Sequence, residues 1–218
     1  HCSQYVHRSP DAGRTWEVIS PDLTTNNDKY HDIPGGPIQH DHTGVELYTT
    51  IFAFEESPQT AGELWAGSDD GRVHLSRDNG KTWQNITPGN IPVDGTVNMI
   101  ELSAHAAGRA LIAVHKYREN DFKPYIFLTN NYGQSWTLLT DGKNGIPADH
   151  YVKVVREDPS RKGLLYAGTE YGVWVSFDEG KNWQPFQFNL PPVSIADMAI
   201  KEKDLVLATH GRGFWILD

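Results

Sequence analysis

Three acidic residues in glycine-containing stretches are of the type that glycoside hydrolysis needs. Asp69 and Asp70 stand side by side in "SDDG", and Glu170 follows "AGT" farther along the chain. Such enzymes use two carboxyl groups, roughly 5–5.5 Å apart for retention of configuration and roughly 6.5–9.5 Å apart for inversion. "SDDG" is also good chemistry for a tight turn. The residues alone leave a catalytic pair and a structural turn both open.

A histidine-rich stretch offers ligands for a metal ion. It contains His40, Asp41 and His42, with His31 a little upstream. Imidazoles and carboxylates are groups that bind zinc and related divalent ions in proteins. No further ligand follows at a recognised spacing, so the stretch favours a solvated polar loop. We therefore predict no metal ion and no cofactor.

Three arginines, Arg72, Arg118 and Arg212, occupy comparable loops. Sialidase chemistry needs three arginines converging on a carboxylate, but no further sialidase signature accompanies these. Arg212 lies between two glycines that let the backbone approach a neighbour, which favours an ion pair there over an anion site. Tyr117 belongs to "KYRENDFKPY", whose aromatic and charged side chains suit contact with protein or carbohydrate; a solvated hairpin fits equally well.

The composition restricts the classes of function. The 218 residues carry a net charge of −9, and the chain has no basic stripe for nucleic acid. The single cysteine, Cys2, excludes an internal disulfide framework. No apolar run approaches the roughly 18 residues of a membrane span. The chain opens at His1 without an initiator methionine, so we expect a processed product or an excerpt of a longer protein.

An octet of the form Ser/Thr-x-Asp/Asn-x-Gly-x-x-Trp recurs four times, at intervals of roughly 50 residues. Its acidic side chain can accept hydrogen bonds from backbone N–H groups of a turn, and its glycine supplies a positive φ. The octet therefore predicts a recurrent turn. Its defined positions are Ser9, Asp11, Gly13 and Trp16; Ser76, Asp78, Gly80 and Trp83; Thr129, Asn131, Gly133 and Trp136; and Ser176, Asp178, Gly180 and Trp183.

Short strands flank the octets. Hairpins of alternating apolar and polar residues, such as "LWAGSDDGRVHLS", lead into an octet, a short strand follows it, and one more strand lies upstream. Four antiparallel strands repeated at roughly 40–50 residues are typical of a β-propeller blade. We name these strands A to D in chain order, so that the octet forms the C–D turn. The predicted fold class is all-β, an arc of a larger propeller.

The expected organisation is a single propeller segment over residues 1–218. It comprises a partial blade at 1–21, a long connecting loop at 22–44, blades at about 45–90, 96–141 and 150–188, and a partial blade at 194–218. If the C–D turns lie on one face of the disc, the B–C loops and D–A connections lie on the other, which we call the loop face. The candidate binding residues of that face are His40, Asp41, His42, Asp69, Asp70, Arg72, Tyr117, Arg118, Glu170, Tyr171, His210 and Arg212.

The octet resembles the Asp-box of sialidases, xyloglucanase-type glycoside hydrolases and Vps10/sortilin propellers. Three copies match at every defined position, whereas the copy at 129–136 has Thr129 and Asn131 in place of Ser and Asp. Stretches such as "LYAGTEYGVWVSFDEGKNW" and "LATHGRGFWILD" resemble the sortilin/Vps10-like, BNR-repeat proteins of bacteria. The resemblance implies that the octets are structural, on the propeller rim away from any active site, and that the parent chain contains further blades.

The resemblance also implies a function. It favours a non-catalytic scaffold that binds a protein or peptide ligand, or a glycan, and an exported protein located outside the cytoplasm. Two alternatives remain open: part of a glycoside hydrolase of the xyloglucanase-like type, and a self-assembling component of an envelope or extracellular structure. In the favoured interpretation, the protein has no enzymatic activity, no nucleic-acid partner and no membrane span.

Overall fold

The computed structural model describes residues 3–31 and 48–217, and these residues form an all-β fold. Seventeen short strands in this part of the chain lie in five antiparallel sheets. Two single-turn 3-10 helices, Asp28–Tyr30 and Tyr117–Glu119, lie in the loops. Among the described residues, no helix has the length and apolar character needed to cross a lipid bilayer. The all-β class and the four-stranded antiparallel units predicted from the repeats are confirmed.

Each sheet runs in chain order. The first has strands C and D only, β1 (His7–Arg8) and β2 (Glu17–Val18). Three complete blades follow: β3 (Ile51–Glu56), β4 (Leu64–Ser68), β5 (Val73–Ser76) and β6 (Gln84–Asn85); β7 (Thr96–Leu102), β8 (Ala110–Lys116), β9 (Asp121–Thr129) and β10 (Thr137–Leu138); and β11 (Val152–Glu157), β12 (Leu165–Thr169), β13 (Gly172–Ser176) and β14 (Gln184–Pro185). The last sheet has strands A to C, β15 (Ile195–Lys201), β16 (Asp204–Thr209) and β17 (Phe214–Leu217).

The hydrophobic core lies between neighbouring sheets, which stand side by side. Gly67 in β4 and Gly168 in β12 let strand A of the next blade approach closely. A Cβ atom on Gly67 would lie 2.5 Å from Val97, and one on Gly168 would lie 2.7 Å from Ile195. Large apolar side chains such as Trp65 are fully buried there, and each contributes roughly 1.5–3 kcal/mol through burial. The "AGS" and "AGT" stretches therefore join consecutive blades.

Strand A carries a β-bulge at the same place in four sheets. The pairing of strand A with strand B is interrupted for one residue after Ile51, Val97, Val152 and Ile195. A bulge re-aims the side chain of the extra residue. The extra residues are Phe52, Asn98, Lys153 and Ala196, and all four line a cavity on the concave side of the arc.

Candidate functional site

The octets form compact turns held by their own side chains. Ser76 Oγ accepts from the N–H of Gly80 at 2.8 Å and donates to Asp78 Oδ1 at 3.0 Å, while Asp78 Oδ1 accepts from the N–H of Thr82 at 2.8 Å. Hydrogen bonds from Thr82 hold the pKa of the Asp78 carboxyl below its usual value. Thr129 and Asn131 reproduce the same pattern in the divergent copy, where the N–H of Gly133 donates to Thr129 Oγ1 at 3.0 Å. All four octets thus have the local bonding that a turn requires.

The octets also connect neighbouring blades. Trp83 Nε1 donates to the carbonyl of Ile19 at 2.8 Å, and Trp136 Nε1 donates to the carbonyl of Ile86 at 2.7 Å. Each acceptor follows strand D of the preceding sheet. A Cβ atom on Gly80 would lie 2.9 Å from Ile19, so glycine permits the approach as well as the positive φ of 85°. We interpret the octets as connectors between blades.

Asp69 and Asp70 bind backbone and hydroxyl groups of the same chain. Asp69 accepts from the N–H of Thr50 at 2.8 Å and from its hydroxyl at 3.2 Å. Asp70 accepts from the N–H and the hydroxyl of Thr25, both at 2.6 Å, and from Ser68 Oγ. The two residues are 5% and 4% exposed, and burial raises the pKa of Asp69 to about 6. This B–C loop is therefore tied to the segments before and after residues 32–47.

Glu170 belongs to a polar cluster at the junction of the third blade and the last sheet. Its Oε2 atom accepts from the Tyr151 hydroxyl at 2.5 Å and lies 3.1 Å from Lys153 Nζ. Lys153 Nζ also donates to Ser194 Oγ at 2.7 Å. Burial raises the pKa of Glu170, but hydrogen bonds from Tyr151, Ser194 and Lys153 outweigh burial and leave that pKa below its usual value. An ionised carboxylate with these partners is a poor general acid.

Aromatic side chains on the loop face surround this cluster, and we call them the aromatic platform: Tyr117, Phe122, His150, Tyr151 and Tyr171. The rings of Tyr117 and Tyr151 stack with centroids 4.7 Å apart, and Phe122 lies 6.2 Å from Tyr151. His150 lies 4.5 Å from Tyr171. Phe122 is 42% exposed and Tyr171 is 51% exposed. The platform offers apolar contact area with polar atoms beside it.

Sequence reasoning missed His150, Tyr151 and Lys153. The predicted candidates came from the B–C loops and from the long D–A connection at 22–44, whereas these three residues lie at the junction of a later D–A connection with strand A of the third blade. The D–A connections reach the same face as the B–C loops, so "ADHYVK" carried a signal that could have identified them.

The three loop arginines share no interaction partner among the described residues. None of them forms an ion pair with a carboxylate among the described residues. The ion pair favoured for Arg212 is therefore not found in this part of the chain. A Cβ atom on Gly211 or Gly213 would have no atom of the described residues within 4 Å. These glycines are explained instead by their positive φ values of 87° and 70°. His210 and Arg212 are exposed on this loop.

The histidine-rich stretch lies largely outside the residues that the structure describes. His40, Asp41 and His42 lie outside the described residues, so a role for them stays a prediction. His31 is described, and its Nε2 atom lies 3.0 Å from Thr49 Oγ1. Within residues 3–31 and 48–217, no group of three or more His, Cys, Asp or Glu side chains is arranged to hold a metal ion.

The concave side of the arc contains a cavity of about 310 Å³ lined by strands A of four sheets. Arg156 lines the cavity and donates to Glu101 Oε2 at 2.7 Å, to Asp197 Oδ1 at 3.0 Å and to the carbonyl of Met198 at 2.7 Å. Glu55 lines the same cavity from β3. Lys153 connects this concave cavity to the polar cluster, because it lines the cavity and also pairs with Glu170.

Comparison with known proteins agrees with the repeat pattern. Residues 174–185 match the family model described as BNR/Asp-box repeat. No curated protein matches the chain.

Three solved structures illustrate the similarity in fold. They are YCF48 bound to D1 peptide (18% identity, TM-score 0.56, 77% of this chain and 51% of that chain), an ancestral GH74 enzyme (15%, 0.65, 98% and 28%), and the extracellular domain of a putative one component system of B. thetaiotaomicron (17%, 0.55, 77% and 21%). This chain therefore spans about half the length of YCF48 and less than a third of the other two. At these identities the likeness shows the fold, which is a β-propeller present here as a partial arc of blades.

Proposed function

We propose that this chain is a segment of a non-catalytic β-propeller scaffold that binds a protein or peptide ligand on its loop face. The observation that carries the proposal is the aromatic platform, where Phe122 and Tyr171 are about half exposed beside a paired lysine and glutamate. Exposed aromatic side chains with adjacent polar groups are the residues that dominate protein interfaces.

The state of the candidate catalytic carboxylates supports a binding role over hydrolysis. Asp69 and Asp70 are buried and accept hydrogen bonds from Thr50, Thr25 and Ser68. A glycosidase acid or nucleophile must instead face its substrate. The GH74 likeness extends to the fold, and fold does not imply activity. We therefore do not propose a hydrolase.

Two structural neighbours support the more specific parts of the proposal, which are the peptide ligand and the exported parent protein. YCF48 is described as bound to a peptide, so a propeller of this kind holds a peptide ligand in at least that protein. The BNR/Asp-box match and the extracellular-domain neighbour support an exported, sortilin-like or BNR-repeat parent protein with further blades.

The test begins with selection of peptides from a random displayed library on the purified protein. The tightest peptide is then titrated by calorimetry against the wild type and against Phe122→Ala combined with Tyr171→Ala. Because the platform supplies the contact area, we expect the double variant to raise Kd by at least about tenfold. Phe177→Ala is the matched control, since Phe177 is 50% exposed within the octet at 176–183, outside the loop face. Equal losses in both variants, or no selectable peptide, would overturn the proposal.

A further inference from the structure

Acidic side chains outnumber basic ones in and beside the concave cavity. Arg156 is shared by Glu101 and Asp197, and Lys153 is paired with Glu170. The cavity lining contains two carboxylates, Glu55 and Asp197, and two cations, Arg156 and Lys153. Glu101 and Glu170 lie beyond the lining as further ion-pair partners of those cations. The ion-pair partners of Arg156 and Lys153 balance the charge of both cations, so the lining charge left for a ligand is the negative one of Glu55.

Glu55 is the carboxylate that the local cations leave without a partner. It makes no hydrogen bond or ion pair with the part of the chain that the structure describes. Arg156 is close enough to influence it electrostatically, but the Arg156 guanidinium bonds to Glu101, Asp197 and the Met198 carbonyl. Burial and the nearby Asp197 carboxylate raise the pKa of Glu55, and the opposing effect of Arg156, which lowers it, does not outweigh them. A second cation would relieve the repulsion among these carboxylates.

Apolar surface lies beside Glu55. Phe52, the bulge residue of β3, is 48% exposed, and Phe54 is 42% exposed. Both line the same cavity as Glu55. A phenyl face attracts a guanidinium or ammonium group, and contacts of this type contribute about 0.5–2 kcal/mol. The volume of about 310 Å³ suits one long side chain better than a folded partner.

We propose that the concave cavity binds a basic side chain, arginine before lysine, of a peptide ligand. Glu55 pairs with the cation, and Phe52 packs against the guanidinium plane or its apolar stem. Arginine fits better because its planar group stacks on aromatic rings and is more weakly hydrated than an ammonium. This inference rests on the proposed peptide-binding function and adds the chemical class of the ligand.

The experiment uses two short capped peptides that differ at one position, Ac-Ala-Ala-Arg-Ala-Ala-NH2 and the same peptide with citrulline in place of arginine. Citrulline preserves shape and removes the charge. Each peptide is titrated by NMR or calorimetry, at low salt, into the wild type, into Glu55→Gln and into Glu202→Gln. Glu202 is an exposed residue of the β15–β16 turn outside the cavity, so its substitution changes net charge equally. We expect the arginine peptide to bind the wild type and Glu202→Gln about tenfold more tightly than citrulline, and Glu55→Gln to abolish that preference.

Each other outcome decides a different question. If both peptides bind and neither charge nor Glu55→Gln matters, the assignment of the basic ligand is wrong and peptide binding stands. If the arginine preference persists in Glu55→Gln, binding depends on net charge and the site is elsewhere. If neither peptide binds the wild type while a library peptide still binds the aromatic platform, the concave site is refuted and the proposed function survives. Failure of both assays removes both proposals.

Discussion

Individual acidic side chains of the loop face hold segments of the chain together. Asp70 is the clearest case, because one carboxylate receives a backbone N–H and two hydroxyl groups while it is 4% exposed. A buried hydrogen-bond donor left without its acceptor costs roughly 1–3 kcal/mol, and more when the lost partner is charged. The carboxylate that looks catalytic in "SDDG" thus serves as an acceptor for Thr25.

The corresponding prediction concerns stability. Asp70→Ala removes the acceptor for Thr25 and Ser68, so we expect the free energy of unfolding to fall by about 2–4 kcal/mol. Asp28→Ala is the control, because the Asp28 side chain is fully exposed and its 3.6 Å approach to His31 contributes little. Urea denaturation followed by tryptophan fluorescence measures both. Equal stability of the two variants would show that the hydrogen bonds to Asp70 do not matter.

Among the structural elements, the octet is the one that links blades, and its four copies differ in what they contact. Trp183 is 5% exposed and donates to the Leu139 carbonyl at 3.4 Å. Trp16 is 63% exposed, and its Nε1 atom bonds to the Gly13 carbonyl of its own turn at 3.2 Å. No blade among the described residues precedes β1, and the Trp16 indole correspondingly makes no hydrogen bond to another blade in this part of the chain. The same octet therefore stabilises the fold by different amounts at different positions.

This difference predicts unequal costs for one substitution. Trp183→Ala removes a buried indole between two blades, and we expect a loss of roughly 3–5 kcal/mol in the free energy of unfolding. Trp16→Ala removes a mostly exposed ring, and we expect less than about 1 kcal/mol. Chemical denaturation of the two variants measures the difference. Similar losses would contradict the connector role of the octets.

For the molecule as a whole, the sequence predicted what depends on local contacts. Ser76, Asp78 and Gly80 bond to one another within a few residues, so their pattern alone indicated the turn and hence the blade. The candidate site depends on contacts between distant residues. Asp70 is held by Thr25, 45 positions away, and Lys153 reaches the concave side through a bulge that has no local signature. The residue types therefore indicated which face carries the candidate site. The hydrogen-bond partners and the burial of each side chain determine its role there.

Two buried ionisable groups make the stability of the whole molecule depend on pH in opposite ways. His115 is 4% exposed, and burial, with Arg118 and Lys153 nearby, lowers its pKa from 6.5 to about 4. Its contribution to stability is complete above pH 6.5 and is lost as the pH falls toward 4. Burial raises the pKa of Asp69 from 3.8 to about 6. Its contribution is complete below pH 3.8 and is lost as the pH rises through 6.

His115 and Asp69 predict opposite pH dependences of the unfolding free energy for two variants between pH 6 and 4.5. His115→Gln keeps a polar group beside Asn98 but removes the titrating ring. We therefore expect its deficit in unfolding free energy, relative to the wild type, to shrink by about 1.4 kcal/mol per pH unit as the pH falls from 6 to 4.5. Asp69→Asn keeps an acceptor for the Thr50 N–H and removes the buried charge, so its deficit should grow by a similar amount over the same fall. Urea titrations of the wild type and both variants at several pH values measure the slopes. Parallel curves for all three proteins would mean that neither group titrates differently in the folded and unfolded states.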